Sequence, residues 1–178
     1  MNDRTRTDAI AVAARPSGIA LVIATGVRWM QAIPYSAIAL LGRFSIAAVF
    51  WNSGQTKVAG FAINIVSGTF HWGWPHLSDS AIALFQDEYK LPLLPPDVAA
   101  PMAAFAEHAF PVLLLVGLGT RFAAVALLGM TLVIQLFVYP GAYPMHGTWA
   151  TILLMLMAQG PGRASIDDWI SRRYRVCP

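Results

Sequence analysis

The chain has 178 residues, of which 57% are hydrophobic and only 12% are charged, and its formal net charge is +3. Soluble domains carry about 25% charged residues, so this composition predicts a single membrane-embedded domain. The basic residues form no stripe and lie near the ends of apolar segments, which excludes a nucleic-acid-binding protein. The one cysteine, Cys177, cannot close an internal disulfide, which excludes a dithiol enzyme acting within one chain.

The first predicted element is a helix over 17–33, within a cytoplasmic N-terminal segment at 1–35. Apolar residues recur there at helical spacing, Arg28 lies on the opposite face, and Pro34 ends the pattern. This predicts an amphipathic helix lying in the membrane interface, with Trp29 near the lipid headgroups. A fifth membrane-spanning helix is the alternative, and it would break the distribution of basic residues unless the N-terminus lay outside.

Four later segments are apolar enough to cross a bilayer core of about 30 Å, which takes about 17–25 helical residues. They cover about 36–57, 99–118, 122–139 and 144–160. The last is short enough to need a thinned bilayer or the shelter of its neighbours. The sequence therefore predicts an all-α integral membrane protein whose transmembrane domain, 36–160, is a four-helix bundle, followed by a basic cytoplasmic tail at 161–178.

The basic residues also predict the orientation of these helices. If the N-terminus is cytoplasmic, nine arginines lie on the cytoplasmic side, and only Lys57 and Lys90 lie on the outer side. This asymmetry follows the positive-inside rule and predicts a multi-pass protein with both termini in the cytoplasm.

With this orientation, the long segment 58–98 lies on the outer, periplasmic side of the membrane. Loops of this length without a function are uncommon. Its tryptophans and phenylalanines predict that it lies on the membrane surface or caps the bundle. Within it, Ser78 and the acidic residue after it predict a short helix over 79–89.

Polar residues from all four predicted spans fall at one depth. Because the first and third spans run outward and the others inward, a layer open to the outer side collects Asn52, Gln55, Glu107, His108, Gln135 and His146. Ionisable groups inside a membrane are costly and usually face the bundle interior, so this layer predicts a site. Glu107 and His108 are the predicted catalytic pair, which would transfer protons. The predicted substrate contacts are Asn52, Gln55, Gln135, His146, Trp149, Trp72 and Arg43.

A structural interpretation of the same residues is also open. Glu107 would neutralise a partner such as Lys57, His108 would bond a backbone carbonyl, and the amides would hold helices together. A metal could use only one of Glu107 and His108, together with His146, because neighbouring helical residues point about 100° apart; no metal site is predicted. Arg43 lies at another depth, where it would pair with an internal acceptor, reach the inner headgroups or contact an anionic substrate.

Three parts of the sequence carry a family resemblance. They are LLGR at 40–43 followed by FWNSGQTK at 50–57, then EH at 107–108 through GLGTR at 117–121, and finally GPGRASID at 160–167. In this order they resemble the DoxX family over about residues 36–170. The segments 89–96 and 135–140 are similar to its proteobacterial branch.

The resemblance implies a four-helix protein of the bacterial inner membrane, of a kind commonly described as oxidoreductase-like. The family name derives from a thiosulfate:quinone oxidoreductase subunit. Other members are associated with membrane redox complexes or occur beside genes for metal-handling peptides. The sequence has no flavin, haem or iron–sulfur motif, so a quinone or a partner protein would carry any electrons.

The predicted function is a component of a membrane redox system, with a quinone or another small substrate in the outer half of the bundle. Whether the chain is itself an enzyme stays open. The predicted partners are membrane lipid, redox or metal-handling proteins, and a second copy of the chain. Two alternatives remain: a non-catalytic membrane partner in metal or oxidative-stress homeostasis, and a small transporter.

Overall fold

The computed structural model describes residues 18–64, 68–92 and 94–174. Its contacts divide the chain into two units, Met1–Pro34 and Tyr35–Pro178. The first unit contributes helix α1, Gly18–Gln31, at the position of the helix predicted over 17–33. The placement of α1 in a membrane interface stays a prediction. Residues 1–17, the last arginine and Cys177 lie outside the described part of the chain.

The second unit is mainly helical. Its helices are α2 (Tyr35–Gln55), α3 (Asp79–Leu84), α4 (Pro96–Val116), α5 (Thr120–Val133), α6 (Tyr143–Gln159) and α7 (Ile166–Tyr174). Within the described residues, three helices are long and apolar enough to cross a membrane: α2, α4, and α5 with its continuation to Val138. They coincide with the first three predicted spans. The fourth predicted span coincides with α6, whose 17 residues are at the lower limit for crossing a bilayer.

Helices α2, α4, α5 and α6 pack around one apolar core, in which α2 and α5 each contact both α4 and α6. The buried residues of this core are Ala39, Ile46, Ala47, Phe50, Leu114, Ala123, Ala124, Leu127, Leu153 and Leu156. Four of them are alanines, and small side chains let helix backbones approach closely. A Cβ added to Gly42 would lie 3.2 Å from Ile152 Cγ2, so α2 and α6 also meet at a glycine.

The predicted all-α fold is wrong for part of the segment between α2 and α4. Strands β1 (Val58–Asn64) and β2 (Thr69–Leu77) form an antiparallel hairpin in which Phe61 pairs with Trp72. The alternation of Phe70, Trp72 and Trp74 is the two-residue period of a strand. A bulge follows Ala59, where Gly60 has a φ of +81° and an added Cβ would lie 2.4 Å from the Trp74 carbonyl oxygen.

The short helix predicted from Ser78 is present as α3. The Ser78 Oγ accepts the backbone N–H of Ala81 at 3.2 Å, and the helix continues as a wide π-helical turn over Phe85–Tyr89. A second wide turn, Ile134–Val138, extends α5. Phe85 packs with Ala99 and Ala100 of α4 in a small second core, so this segment folds against the helices.

The helices run alternately between two ends of the unit. The end that carries the β1–β2 hairpin is called the hairpin end, and the end that carries α7 is called the α7 end. The Tyr35 hydroxyl donates to the Gly160 carbonyl at 2.6 Å, which joins the start of α2 to the end of α6 at the α7 end. Helices α2 and α5 therefore run toward the hairpin end, and α4 and α6 run away from it.

Candidate functional site

Lys57 and Glu107 form a buried ion pair at the hairpin end. The Lys57 Nζ is 2.7 Å from the Glu107 Oε2, and the two side chains are 2% and 4% exposed. The same ammonium donates to the carbonyl and hydroxyl oxygens of Ser53 at 3.2 and 3.1 Å. Three acceptors thus satisfy its three donors. The pairing offered by the structural interpretation of Glu107 is confirmed.

Gln55 joins α2, the hairpin and α4. Its Oε1 accepts the backbone N–H of Ile63 at 2.7 Å, so its Nε2 donates to the His108 Nε2 at 2.8 Å. The His108 Nδ1 lies 2.7 Å from the Ala104 carbonyl oxygen and carries a proton, because a carbonyl only accepts. Both ring nitrogens of His108 are therefore in use, and the predicted bond to a backbone carbonyl is confirmed.

Gln135 holds His146 in a second bridge, between α5 and α6. The Gln135 Nε2 donates to the Pro140 carbonyl at 2.7 Å, so its Oε1 accepts the Nδ1–H of His146 at 2.7 Å. The other ring nitrogen, Nε2, keeps its lone pair and has no hydrogen-bond partner among the residues described. The His146 ring packs on Trp149 with centroids 5.0 Å apart, and Trp149 packs on Phe50 at 5.6 Å.

A cavity of about 390 Å³ lies between these helices. Five polar residues line it: Ser53, Tyr89, Glu107, Tyr139 and His146. The other walls are apolar: Val49, Phe50, Phe85, Leu91, Leu94, Ala99, Met102, Ala103, Ala106, Ala126, Met130, Val133, Ile134, Val138, Met145 and Trp149. This size and this mixture are typical of small-molecule sites, which measure about 300–1,000 Å³. In the described part of the chain, no group of three His, Cys, Asp or Glu residues could hold a metal ion.

Two tyrosines contribute to the cavity wall from outside the three long apolar helices. The rings of Tyr89 and Tyr139 pack edge to face with centroids 5.9 Å apart, and the Tyr139 hydroxyl donates to the Glu88 carboxylate. This hydrogen bond, together with burial, raises the pKa of the Tyr139 phenol. Burial also raises the pKa of Tyr89. Both phenols therefore keep their protons well above neutral pH.

The structure brings only part of the predicted site to the cavity. Glu107, His146 and Trp149 line it, and Gln135 orients His146 from behind. The remaining predicted residues do not line it: Asn52, Gln55, His108, Trp72 and Arg43.

The reasons for these differences are local. Asn52 is exposed, whereas its neighbour Ser53 lines the cavity, because adjacent helical residues point about 100° apart. Trp72 lies on β2, is 78% exposed and packs edge-on against Phe61 at 5.9 Å. Both faces of β2 are exposed, so the indole of Trp72 lies outside the cavity on whichever face it stands.

Sequence reasoning missed Ser53 and Tyr89 as cavity residues and did not include Tyr139 in the site. Ser53 lies four residues before Lys57, so helical spacing could have indicated a shared face. Nothing in the sequence indicated the wide turns that end at Tyr89 and just before Tyr139. The contact between Tyr89 and Tyr139 depends on the tertiary fold.

Arg43 lies at the α7 end and is 2% exposed. Its guanidinium donates to the carbonyls of Leu114 and Leu115 at 2.7 and 2.6 Å, and to those of Pro161 and Ala164 at 3.0 and 2.8 Å. The first two carbonyls belong to the last turn of α4, where backbone donors are fewer than inside the helix and a positive charge is favoured. The predicted pairing of Arg43 with internal acceptors is confirmed.

The predicted family motifs meet around this arginine. The Asp167 carboxylate accepts the backbone N–H groups of Gly119 and Thr120 at 2.8 and 2.9 Å and so caps α5. In return, the Asp167 N–H donates to the Gly117 carbonyl at 2.8 Å. Gly117 has a φ of +69°, and an added Cβ would lie 2.5 Å from the Ser165 Cβ. These motifs therefore join α7 to the end of α4 and to the start of α5 by hydrogen bonds.

The fold and cavity define a helical protein with three helices able to cross a membrane and a small-molecule-sized cavity among them. The model of the DoxX family matches residues 38–140, and the chain belongs to this family. A Haemophilus influenzae protein described as uncharacterized is 29% identical over 158 residues, which cover 82% of this chain and 91% of that protein. No solved structure matches the chain. The family resemblance of the sequence is thus confirmed.

Proposed function

We propose that this chain is a four-helix protein of the bacterial inner membrane that binds a quinone-like ring in the hairpin-end cavity, as a component of a membrane redox system. Its membership of the DoxX family and its three long apolar helices support a place in the membrane. In this proposal α6 is the fourth span, the hairpin is periplasmic and both termini are cytoplasmic. That orientation has nine arginines on the cytoplasmic side, in line with the positive-inside rule.

One observation carries the proposal: Glu107 and His146 line the same, mostly apolar cavity. Both side chains are buried on helices of an otherwise apolar core. Ionisable side chains in such surroundings are energetically costly, and membrane proteins usually keep them for a functional site. Lys57 compensates the charge of Glu107, but the Nε2 of His146 has no partner among the described side chains, so a ligand could use it.

The chemistry of the walls fits a flat ring with two carbonyl oxygens. Trp149 supplies a flat apolar surface, and the Tyr89 hydroxyl is a hydrogen-bond donor on the cavity wall. Its raised pKa keeps this hydroxyl protonated, whereas Tyr139 already donates its one proton to Glu88. The cavity volume of about 390 Å³ is enough for a ring of this kind but small for a large cofactor.

Reduction of a quinone to a quinol takes up two electrons and two protons, and a partner redox protein would supply the electrons. His146, which Gln135 orients through Nδ1, is the proposed group that takes up or releases a proton at Nε2. Glu107 is the second proposed proton-transfer group. His108 was predicted as its catalytic partner, but it bridges Gln55 and α4, and we assign it a positioning role.

Binding of a short-chain quinone to the purified chain tests this proposal. Ring binding next to Trp149 would quench tryptophan fluorescence, which gives a saturable curve for the wild type. We expect His146→Ala and Glu107→Gln to weaken binding by about tenfold or more, since the first removes the imidazole and the second the ionisable carboxylate from the cavity wall.

Asn52→Ala is the matched control, because this exposed α2 residue lies next to Ser53 and does not line the cavity. It should bind the quinone as the wild type does. Equal binding by all four proteins, or quenching that does not saturate, would rule out the cavity as a quinone site.

A non-catalytic membrane partner is a second candidate, and the exposed aromatic row of β2 favours it. Trp72 and Trp74 are 78% and 89% exposed on the hairpin, where they could contact lipid or another protein. Complementation of a deletion strain under metal or oxidant stress separates the two candidates. If Trp72→Ser and Trp74→Ser abolish complementation while His146→Ala and Glu107→Gln preserve it, the partner role is supported and the redox role fails.

A further inference from the structure

A second cavity, of about 410 Å³, lies at the α7 end and shares no residue with the first. The start of α2, the start of α5, the turn after α6 and the first half of α7 surround it. Four charged residues line it: Arg121, Arg163, Asp167 and Asp168. Their partners decide which kind of ligand the cavity could accept.

Both carboxylates are already in use. The two oxygens of Asp167 accept the backbone N–H groups of Gly119 and Thr120 at 2.8 and 2.9 Å. The Asp168 Oδ2 is 2.8 Å from the Arg172 Nη2 in an ion pair along α7. Within the described residues, neither carboxylate forms an ion pair with Arg121 or Arg163.

The two arginines are exposed and uncommitted. Neither Arg121 nor Arg163 forms an ion pair within 18–64, 68–92 and 94–174. Close behind the cavity, the buried guanidinium of Arg43 donates to the Pro161 carbonyl at 3.0 Å and likewise has no carboxylate within ion-pairing distance in that part of the chain. Around the cavity, four guanidiniums, those of Arg43, Arg121, Arg163 and Arg172, thus outnumber the two carboxylates of Asp167 and Asp168.

The inner wall contains one more unused polar group. Thr120 is fully buried, and its hydroxyl has no hydrogen-bond partner in the described structure. At the rim, Phe122 is exposed and apolar, while Ser171 adds a hydroxyl. The cavity therefore combines a positive charge with hydroxyls and an apolar edge.

We propose that this cavity binds a phosphate-bearing anion through Arg121 and Arg163. A guanidinium presents a planar fork of donors that matches phosphate oxygens. Basic pockets between membrane helices on the cytoplasmic side are known to accept anionic headgroups, and the α7 end is the end predicted to be cytoplasmic. A phospholipid headgroup and a soluble phosphate share this chemistry, and the apolar rim at Phe122 suits the lipid.

Native mass spectrometry of the full chain in neutral detergent tests the site. The protein is mixed with phosphatidylglycerol or phosphatidylcholine, and the bound lipid is counted with and without inorganic phosphate. We expect the wild type to bind phosphatidylglycerol in preference, and Arg121→Gln or Arg163→Gln to weaken that binding by about tenfold. Displacement of the lipid by millimolar phosphate assigns the site to soluble phosphate as well, and resistance to it assigns the site to the lipid.

Arg173→Gln is the matched control, because it removes one positive charge from α7 without changing a residue that lines the cavity. It should bind as the wild type does. The Arg121→Lys and Arg163→Lys variants keep the charge but lose the fork, and they should fall between wild type and the Gln variants. If the wild type binds neither probe, if the Gln variants bind as the wild type does, or if Arg173→Gln loses as much, the proposal is overturned.

Discussion

Lys57 and Glu107 show how the fold accommodates a charge among apolar helices. The ammonium uses all three of its donors, on Glu107 and on the two oxygens of Ser53. Burying either charge alone is strongly unfavourable, whereas a buried pair with satisfied hydrogen bonds is close to neutral. The stability of this end therefore depends on the two residues being present or absent together.

The pair gives a prediction for stability. Glu107→Leu leaves the Lys57 ammonium buried without its counter-charge, and Lys57→Met leaves the Glu107 carboxylate in the same state. Each single variant should lower the free energy of unfolding by about 3–5 kcal/mol. The double variant Lys57→Met/Glu107→Leu should lose clearly less than the sum of the two. Chemical denaturation in detergent, followed by circular dichroism, measures all four proteins.

The double variant also provides the internal control. Losses that simply add would mean that the two side chains act independently, and the coupling inferred from the 2.7 Å contact would be wrong.

At the residue scale, the sequence predicted chemistry better than geometry. The pairing of Glu107 with Lys57 and the carbonyl bond of His108 could be anticipated, because a buried ionisable group must find a partner. The choice of Gln135 as the orienter of His146 could not, since it depends on how α5 and α6 face each other. Asn52 illustrates the limit. The sequence predicted its position along α2, next to the cavity residue Ser53, but not that its own side chain is exposed and does not line the cavity.

Gly54 of α2 lies directly against two side chains of α4 beside the site. A Cβ added there would lie 2.7 Å from the His108 Cε1 and 3.1 Å from the Glu107 Cβ. Both His108 and Glu107 are held by hydrogen bonds, to Gln55 and to Lys57, so neither can move away cheaply. The α2–α4 contact at the hairpin end therefore requires a residue without a side chain.

This requirement gives a prediction at the scale of helix packing. Gly54→Ala should force α2 and α4 apart and lower the free energy of unfolding by about 1–3 kcal/mol. It should also increase hydrogen exchange in β1, which Gln55 holds through the Ile63 N–H. Hydrogen–deuterium exchange of the purified chain, together with denaturation, measures both effects.

Gly129→Ala is the matched control in α5, where an added Cβ meets nothing within 4 Å. Because alanine favours a helix more than glycine does, this variant should keep or gain up to about 1 kcal/mol. A similar loss in both variants would show that the effect of Gly54→Ala comes from the backbone and not from the α2–α4 contact.

Among the elements, the long helices were predictable because their apolar runs have few competing explanations. The hairpin was missed because its glycines and its proline suggested a loop, although Phe70, Trp72 and Trp74 alternate as in a strand. The bulge at Gly60 shifts the register of the two strands, and no local sequence pattern predicted it. The wide turns after α3 and α5 are likewise set by packing and not by propensity.

The stability of the whole molecule should depend on pH through the tyrosines of the hairpin end. The pKa values of Tyr89 and Tyr139 are raised in the folded chain above the usual value of 10.0. Below about pH 10 both folded and unfolded phenols are protonated, and their contribution to stability is fully present. As the pH rises further, the unfolded phenols ionise first, so the folded state loses this contribution.

We therefore expect the free energy of unfolding to fall as the pH rises above about 10, and to fall less steeply in Tyr139→Phe. Tyr143→Phe, which changes an exposed tyrosine at the start of α6, should follow the wild-type curve. Parallel curves for wild type and Tyr139→Phe would show that the hydrogen bond to Glu88 does not couple ionisation to folding. Denaturation across this pH range gives all three curves.

As a whole, the molecule separates two kinds of polar structure. At the α7 end, Arg43 and Asp167 bind backbone groups and close the ends of α4 and α5. At the hairpin end, side chains bind one another and line a cavity. The polar residues predicted to share one layer lie near the hairpin end, and their role as a site and their orientation in the membrane stay predictions. Which of these residues reach the cavity could be decided only by the packing of four helices.

The contacts of two indoles with two imidazoles make the protein its own spectroscopic probe. Trp51 lies edge-on to His108 with centroids 4.9 Å apart, and Trp149 lies 5.0 Å from His146. A protonated imidazole quenches the emission of an indole in contact with it, whereas a neutral imidazole quenches it far less. Emission from Trp51 reports on the bridge between α2 and α4, and emission from Trp149 reports on the cavity. With single-tryptophan variants, the state of each bridge can be followed by tryptophan fluorescence, without an added label.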